Sequence, residues 1–336
     1  MRRTMLFLSP LLLAACMPGG SGVVPFRHRD PIVIDGRTYQ KFEVSELGPC
    51  ITIDDGNDSA LAAARTFLTN GLGHQSIETA RTNLNGCGDI SSVDLTVVGH
   101  GGEGSIFVGG AGKRQTGKFV GSENEAEWKP LLKDLASGSG VVSLLACNTG
   151  SGKRGAKLLN KLTKTTKRPV RALTGIAYIF TDAIHLEAGI DWNVATPEQD
   201  AGVVNRPKPA NAPFPVPANL NIGNKSFSLD SIARVRIDGW EIERETAFSP
   251  TAEERRDLAQ LIDFTHPFTP PGLPLAPVTA RIVIELSSGP GLVLRDEVTL
   301  LIYGDVLAQD AADPSRFFDI DPGANEGGLE AWAARR

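Results

Sequence analysis

Val93-Asp94-Leu95-Thr96-Val97-Val98-Gly99-His100-Gly101-Gly102 and, further on, Val141-Val142-Ser143-Leu144-Leu145-Ala146-Cys147 are the stretches on which the reading of this chain turns. Each is a mostly apolar run of strand length, and each stops at a chemically reactive side chain beside a glycine-rich turn. Working outward, Cys50–Ile53 and Val170–Leu173 read as further buried strands. Helical spacing is predicted after the Asp58-Ser59 cap through Thr69, over Ile77–Leu84, over Glu123–Ala136 and over Gly155–Thr165. Strands alternating with helices predict an α/β fold with a mostly parallel sheet flanked by helices.

In such sheets ligands sit beyond the carboxyl ends of the strands. Neighbouring strands ending at His100 and Cys147 would therefore direct both side chains into one crevice. An imidazole there can take the proton of a thiol, and the thiolate can attack a carbonyl carbon. Gly101 and Gly102 allow close backbone approach and leave N–H groups for an oxyanion.

An apolar strand ending His-Gly, followed by an apolar strand ending in a small residue and Cys, resembles the caspase-like clan of cysteine peptidases. The texture is nearest to the self-cleaving domains of large bacterial toxins and to gingipain-like enzymes. The separation of 47 residues between His100 and Cys147 leaves room for one crossover helix. The resemblance covers roughly residues 48–195. It implies that His100 is the general acid/base, Cys147 the nucleophile, and the Gly101 and Cys147 N–H groups the oxyanion hole. It also implies a protein or peptide substrate, self-cleavage included, and no cofactor. The plainer alternative is a catalytically inactive caspase-like lipoprotein acting as a binding or scaffold module, with His100 a turn residue and Cys147 a core thiol. No third catalytic residue is visible.

The N-terminus has its own signature. Met1-Arg2-Arg3 is followed by an apolar run from Met5 to Ala15, too short to span a bilayer at ~20 residues. It ends Leu13-Ala14-Ala15-Cys16, which resembles the lipobox of bacterial lipoproteins and implies lipidation at Cys16; an ordinary secretory signal is the alternative. Met17 rather than Asp after the cysteine points to the outer membrane, facing the periplasm or the exterior. Of the remaining cysteines, Cys50 and Cys87 either pair in an oxidising compartment or stand as separate thiols.

The expected organisation is a signal peptide at 1–16, a tether and lead-in at 17–47, the peptidase-like domain at 48–195, a linker at 196–219 and a smaller α+β domain at 220–336. The linker holds six prolines between 197 and 217, too many for helix or ladder hydrogen bonds. In the last domain, alternation over Ile232–Ile242, a helix over Pro250–Phe264 and strands at Ala280–Leu286 and Leu292–Tyr303 carry the reading.

The 336 residues are 41% hydrophobic and 22% charged, as in a folded protein, and a net charge of −5 argues against a nucleic-acid partner. His100-Gly101-Gly102-Glu103-Gly104 is similar to a lipase oxyanion turn, but no Gly-x-Ser-x-Gly elbow follows. Cys147 to Arg154 misses the phosphate-binding loop at its first glycine and at its final Ser/Thr. Lys153, Arg154, Lys157, Lys161, Lys164, Lys167, Arg168 and Arg171 form either a solvated helix face or an anion-responsive site. Asp182, Glu187 and Asp191 read as solvated loop acids or as the lining of a pocket for a basic side chain. His185 and His266 lack partners at metal-ligand spacing, so no metal is expected.

Overall fold

The computed structural model describes residues 23–24, 29–56, 58–68, 70–88, 90, 92–109, 115–180, 183–206, 209, 212–239, 246–287, 296–304, 306–321 and 328–334. Residues 1–16, where a signal peptide and lipidation at Cys16 are expected, lie outside the described residues. Six helices occur among them: α1 (Ser59–Phe67), α2 (Ile77–Asn85), α3 (Glu125–Leu132), α4 (Gly152–Thr166), α5 (Ala252–Leu261) and α6 (Gly328–Ala334). None is long and apolar enough to cross a membrane.

The central sheet runs in the order Val23–Val24, Trp192–Ala195, Val170–Leu173, Val142–Leu145, Leu95–Val98, Cys50–Asp54, Leu72–His74. Its five strands from Leu72–His74 to Val170–Leu173 pair in parallel; the two at the other edge are antiparallel. The central strands are buried on both faces, which is why they read as continuous apolar runs. On one face Leu95, Val97, Val142 and Leu144 pack with Ile77 of α2, Trp128 of α3 and Leu158, Leu159 and Leu162 of α4. On the other, Ile53, Val98, Leu145 and Leu173 pack with Leu61 and Ala64 of α1 and with Tyr39, Tyr178 and Leu186 of a second sheet.

The expectation of a mostly parallel sheet flanked by helices is corrected. Strand outweighs helix, 37% against 26%, and is divided among five sheets whose pairings are mostly antiparallel. The second sheet joins Leu273–Pro274, Ala177–Phe180, Ala183–Glu187, Arg37–Phe42 and Arg29–Ile34, all antiparallel. A three-stranded sheet follows His100, a hairpin pairs Asn219–Ile222 with Lys225–Ser228, and a six-stranded antiparallel sheet organises the C-terminal part. Of these strands, Ile232–Gly239, Val278–Leu286 and Asp296–Tyr303 fall where alternation and strands were expected, and Arg29–Ile34 falls within the expected lead-in. Ala177–Phe180 and Ala183–Glu187 carry no local signal, because they are short and buried with no period-2 alternation.

Cys50 and Cys87 are joined by a disulfide, with Cα atoms 5.8 Å apart, tying the first central strand to the turn after α2. Closing a loop of sequence separation 37 restricts the unfolded chain, so reduction is expected to cost about 3–4 kcal/mol. Thermal melts with and without reductant, compared with a Cys50→Ala/Cys87→Ala chain, check this.

Candidate active site

The parallel ladder matches Leu145 with Val98, so Cys147 and His100 each lie two residues beyond the same rung of adjacent strands. The two turns touch. A Cβ on Gly101 would fall 2.7 Å from the Ala146 Cβ and 2.7 Å from the Cys147 carbonyl oxygen, so only glycine fits there.

His100 is 2% exposed. Its Nε2 is 3.2 Å from Asp58 Oδ1, while its Nδ1 has no partner among the described residues. Asp58 is the N-cap of α1, and the same Oδ1 accepts the N–H groups of Ala60 and Leu61. Burial pulls the Asp58 carboxyl up, but His100 and those two N–H groups outweigh it and hold the group below the usual carboxylate range. An ionised carboxylate only accepts, so Nε2 carries the hydrogen and Nδ1 is left as the lone-pair nitrogen. Sequence reading marked Asp58 as a helix cap and missed this second contact, since nothing local to residues 58 or 100 announces it. Asp54, also buried nearby, is raised by burial against the Gly56 N–H, His100 and Arg65.

Cys147 is fully buried. Its Sγ lies 3.3 Å from the Ala177 nitrogen and 3.6 Å from the Ala177 oxygen. Burial pushes the thiol up to about 12, against the backbone N–H groups of Ala177 and Leu275, with Glu187 adding to the rise and Arg206 opposing it. Residues of the second sheet and of the C-terminal part both share its surroundings: Ile176, Ala177, Tyr178 and Ile190 lie in the same apolar cluster as Cys147, and so do Leu275, Ala276, Val306 and Leu307. The Gly101 N–H, expected to be free for an oxyanion, donates to the Leu275 carbonyl at 3.3 Å.

The other candidates are placed differently. Glu187 is no solvated loop acid: its Oε1 accepts the Tyr178 hydroxyl at 2.7 Å, Arg206 lies 3.8 Å from its Oε2, and burial raises its pKa. Asp191 accepts the Thr174 hydroxyl through its backbone carbonyl, and Asp182 lies outside the described residues. Within the basic run Arg168 is fully buried, and Arg171 bonds Ser143 Oγ and the Glu46 carbonyl. Neither belongs to a solvated face. The start of α4, where a phosphate-binding loop would place its anion, holds Glu103, which accepts the Arg154 N–H and would meet any Cβ on Gly152. His185 is buried in the second sheet, and exposed His266 pairs with Asp263. Among the described residues no group of three His, Cys, Asp or Glu could hold a metal ion. An apolar cavity lined by Ile77, Leu84, Val97, Leu144 and Leu162 lies on the sheet face away from Cys147 and so is not part of this site.

Comparison with protein-family models, with curated proteins and with solved structures finds no match to this chain.

Proposed function

We propose that this chain is a cysteine endopeptidase of the bacterial envelope, in which His100 activates Cys147 and Asp58 orients His100. The observation that carries the reading is the shared rung: the two reactive residues leave adjacent parallel strands at the same level, and the turns behind them are in contact. The Asp58–His100 contact supports it, because it leaves Nδ1 as the unpartnered base. His100 would take the thiol proton, and the thiolate would attack a peptide carbonyl to form an acyl-enzyme that water releases. Export and a lipid anchor at Cys16 rest on the N-terminal sequence, and the Cys50–Cys87 disulfide suits an oxidising compartment.

The complete burial of Cys147 favours a second reading, a catalytically silent binding module. Against it stands the Asp58–His100 contact, which a merely structural His100 beside a core thiol would not need. A fluorogenic peptide library separates the two. Hydrolysis is expected with the native chain and is expected to vanish in Cys147→Ala. A folded native chain that cuts no peptide and resists thiol-reactive probes sinks the peptidase reading.

A further inference from the structure

The basic run after Cys147 takes no part in the candidate site. α4 turns Leu158, Leu159 and Leu162 into the core. Lys153, Arg154, Lys157 and Lys164 are exposed on the opposite face, with exposed Lys167 as the C-cap. Helical spacing lines these cations up in one stripe, about 21 Å long from residue 153 to 167 at 1.5 Å per residue. Half-buried Lys161 is neutralised by Glu125 at 2.7 Å, and Lys164 lies 3.7 Å from Asp200. At the helix start Glu103 binds the backbone N–H of Arg154 at 3.3 Å. Among the described residues, the side chains of Lys153, Arg154, Lys157 and Lys167 form no ion pair. Four uncompensated cations on one helix stand out in a chain whose net charge is −5.

The position of the stripe names its partner. α4 lies over the edge of the central sheet, where the Thr163 hydroxyl donates to the Ala195 carbonyl at 3.3 Å. Ala195 ends the strand Trp192–Ala195, which pairs on its outer side with Val23–Val24. Cys16 precedes Val23 by 23 − 16 = 7 residues, and seven residues of fully extended chain reach roughly 25 Å. A lipid on Cys16 would therefore hold a membrane surface within about 25 Å of the strand on which α4 packs. A polybasic patch is a common second signal that reinforces such an anchor.

We propose that the outward face of α4 docks on a membrane leaflet, its cations taking the phosphates of anionic phospholipid headgroups. This goes beyond the peptidase reading and does not need it; the expected anchor at Cys16 enters only in saying where the leaflet lies. Each Lys or Arg brought to an anionic leaflet strengthens binding about fivefold. The attraction fades beyond a Debye length, ~8 Å at physiological salt, so the face must lie against the headgroups to gain it. α4 opens at Gly152, shortly after Cys147, so docking would hold the carboxyl ends of the central strands close to the leaflet.

The test is co-sedimentation of the purified full chain with vesicles, using Cys16→Ser so that no lipid is attached. Binding is expected to vesicles of equal parts phosphatidylglycerol and phosphatidylcholine, to be far weaker with phosphatidylcholine alone, and to fall as salt rises. Lys153→Gln/Arg154→Gln/Lys157→Gln is expected to weaken it by on the order of 100-fold, with a thermal melt matching the parent. Arg234→Gln/Arg256→Gln/Arg281→Gln removes the same charge from exposed positions of the C-terminal part and is expected to change it little. The residues before Val23 are common to all these chains, so the comparison between variants reports on α4. An α4 variant that binds as tightly as its parent overturns the proposal. A control variant that loses as much, or equal binding to uncharged vesicles, does so too. Preference for double-stranded DNA over the anionic vesicles also overturns it and makes the stripe a nucleic-acid contact. The anchor is read separately, from the mass of the native chain recovered from cells. An unmodified Cys16 together with α4-dependent vesicle binding supports the docking face and overturns only the anchor.

Discussion

On the proposed peptidase mechanism, His100→Ala is expected to lower kcat/KM on peptide substrates by on the order of 10²–10⁴-fold, as removal of a general acid/base does. The reason is specific to this site. Burial holds the Cys147 thiol up to about 12, so at neutral pH almost none of it is thiolate until a base acts. On the proposed mechanism that base is Nδ1, since Nε2 is engaged by Asp58. The Cys147→Ala/His100→Ala double variant should be no worse than Cys147→Ala alone if the two act as the proposed unit. Asp58 is a positioning residue, and its two duties can be separated. Asparagine caps helices about as well as aspartate, so Asp58→Asn should keep the cap's share of stability and lose only that of the charge on His100, while lowering kcat at unchanged KM. Asp58→Ala should in addition lose about 1 kcal/mol of stability with the cap. Asp58 is held below its ordinary pKa, so its share of stability is present above about pH 4 and is lost as pH falls further. A residue that only capped α1 would leave kcat untouched.

Arg168→Ala is expected to destabilise the fold by about 3–5 kcal/mol, read as a lower urea midpoint at unchanged m. Arg168 is fully buried, and its guanidinium donates to the carbonyls of Leu135, Val93 and Ile90, tying the segment after α3 to the loop that precedes Leu95–Val98. Truncation leaves those carbonyls unpaired and opens a cavity. Gly138 is part of the same arrangement, since a Cβ there would fall 1.5 Å from an Arg168 nitrogen. Arg168→Met tests the mechanism: it refills much of the volume but donates nothing, so most of the loss should remain. Arg168→Lys should recover only part, since one ammonium cannot serve a planar fork with three acceptors.

Some of this molecule is legible in one dimension. The apolar runs ending at His100 and Cys147 are strands that end there because glycine and turn residues follow, and both signals are local. Asp58 was readable as a cap because a cap is a contact between near neighbours in sequence. The periodicity of α4, with Leu158, Leu159 and Leu162 inward, was readable for the same reason. The balance of the fold was misread because short strands buried on both faces show no alternation, and because a parallel core says nothing of the hairpins added around it.

The rest was decided in three dimensions. That Asp58 faces His100, that Arg168 of an apparently solvated run turns inward, and that Leu275 lies over Gly101 beside the Cys147 sulfur all join residues far apart in the chain. Such contacts leave no mark on local spacing, since dihedral preference and hydrophobic period report only on a residue's neighbours along the chain. By itself the sequence determined which strands end in reactive side chains. Only the packing of the second sheet and of the C-terminal part against those strand ends decided that Cys147 is buried, because burial depends on what lies around a residue in space.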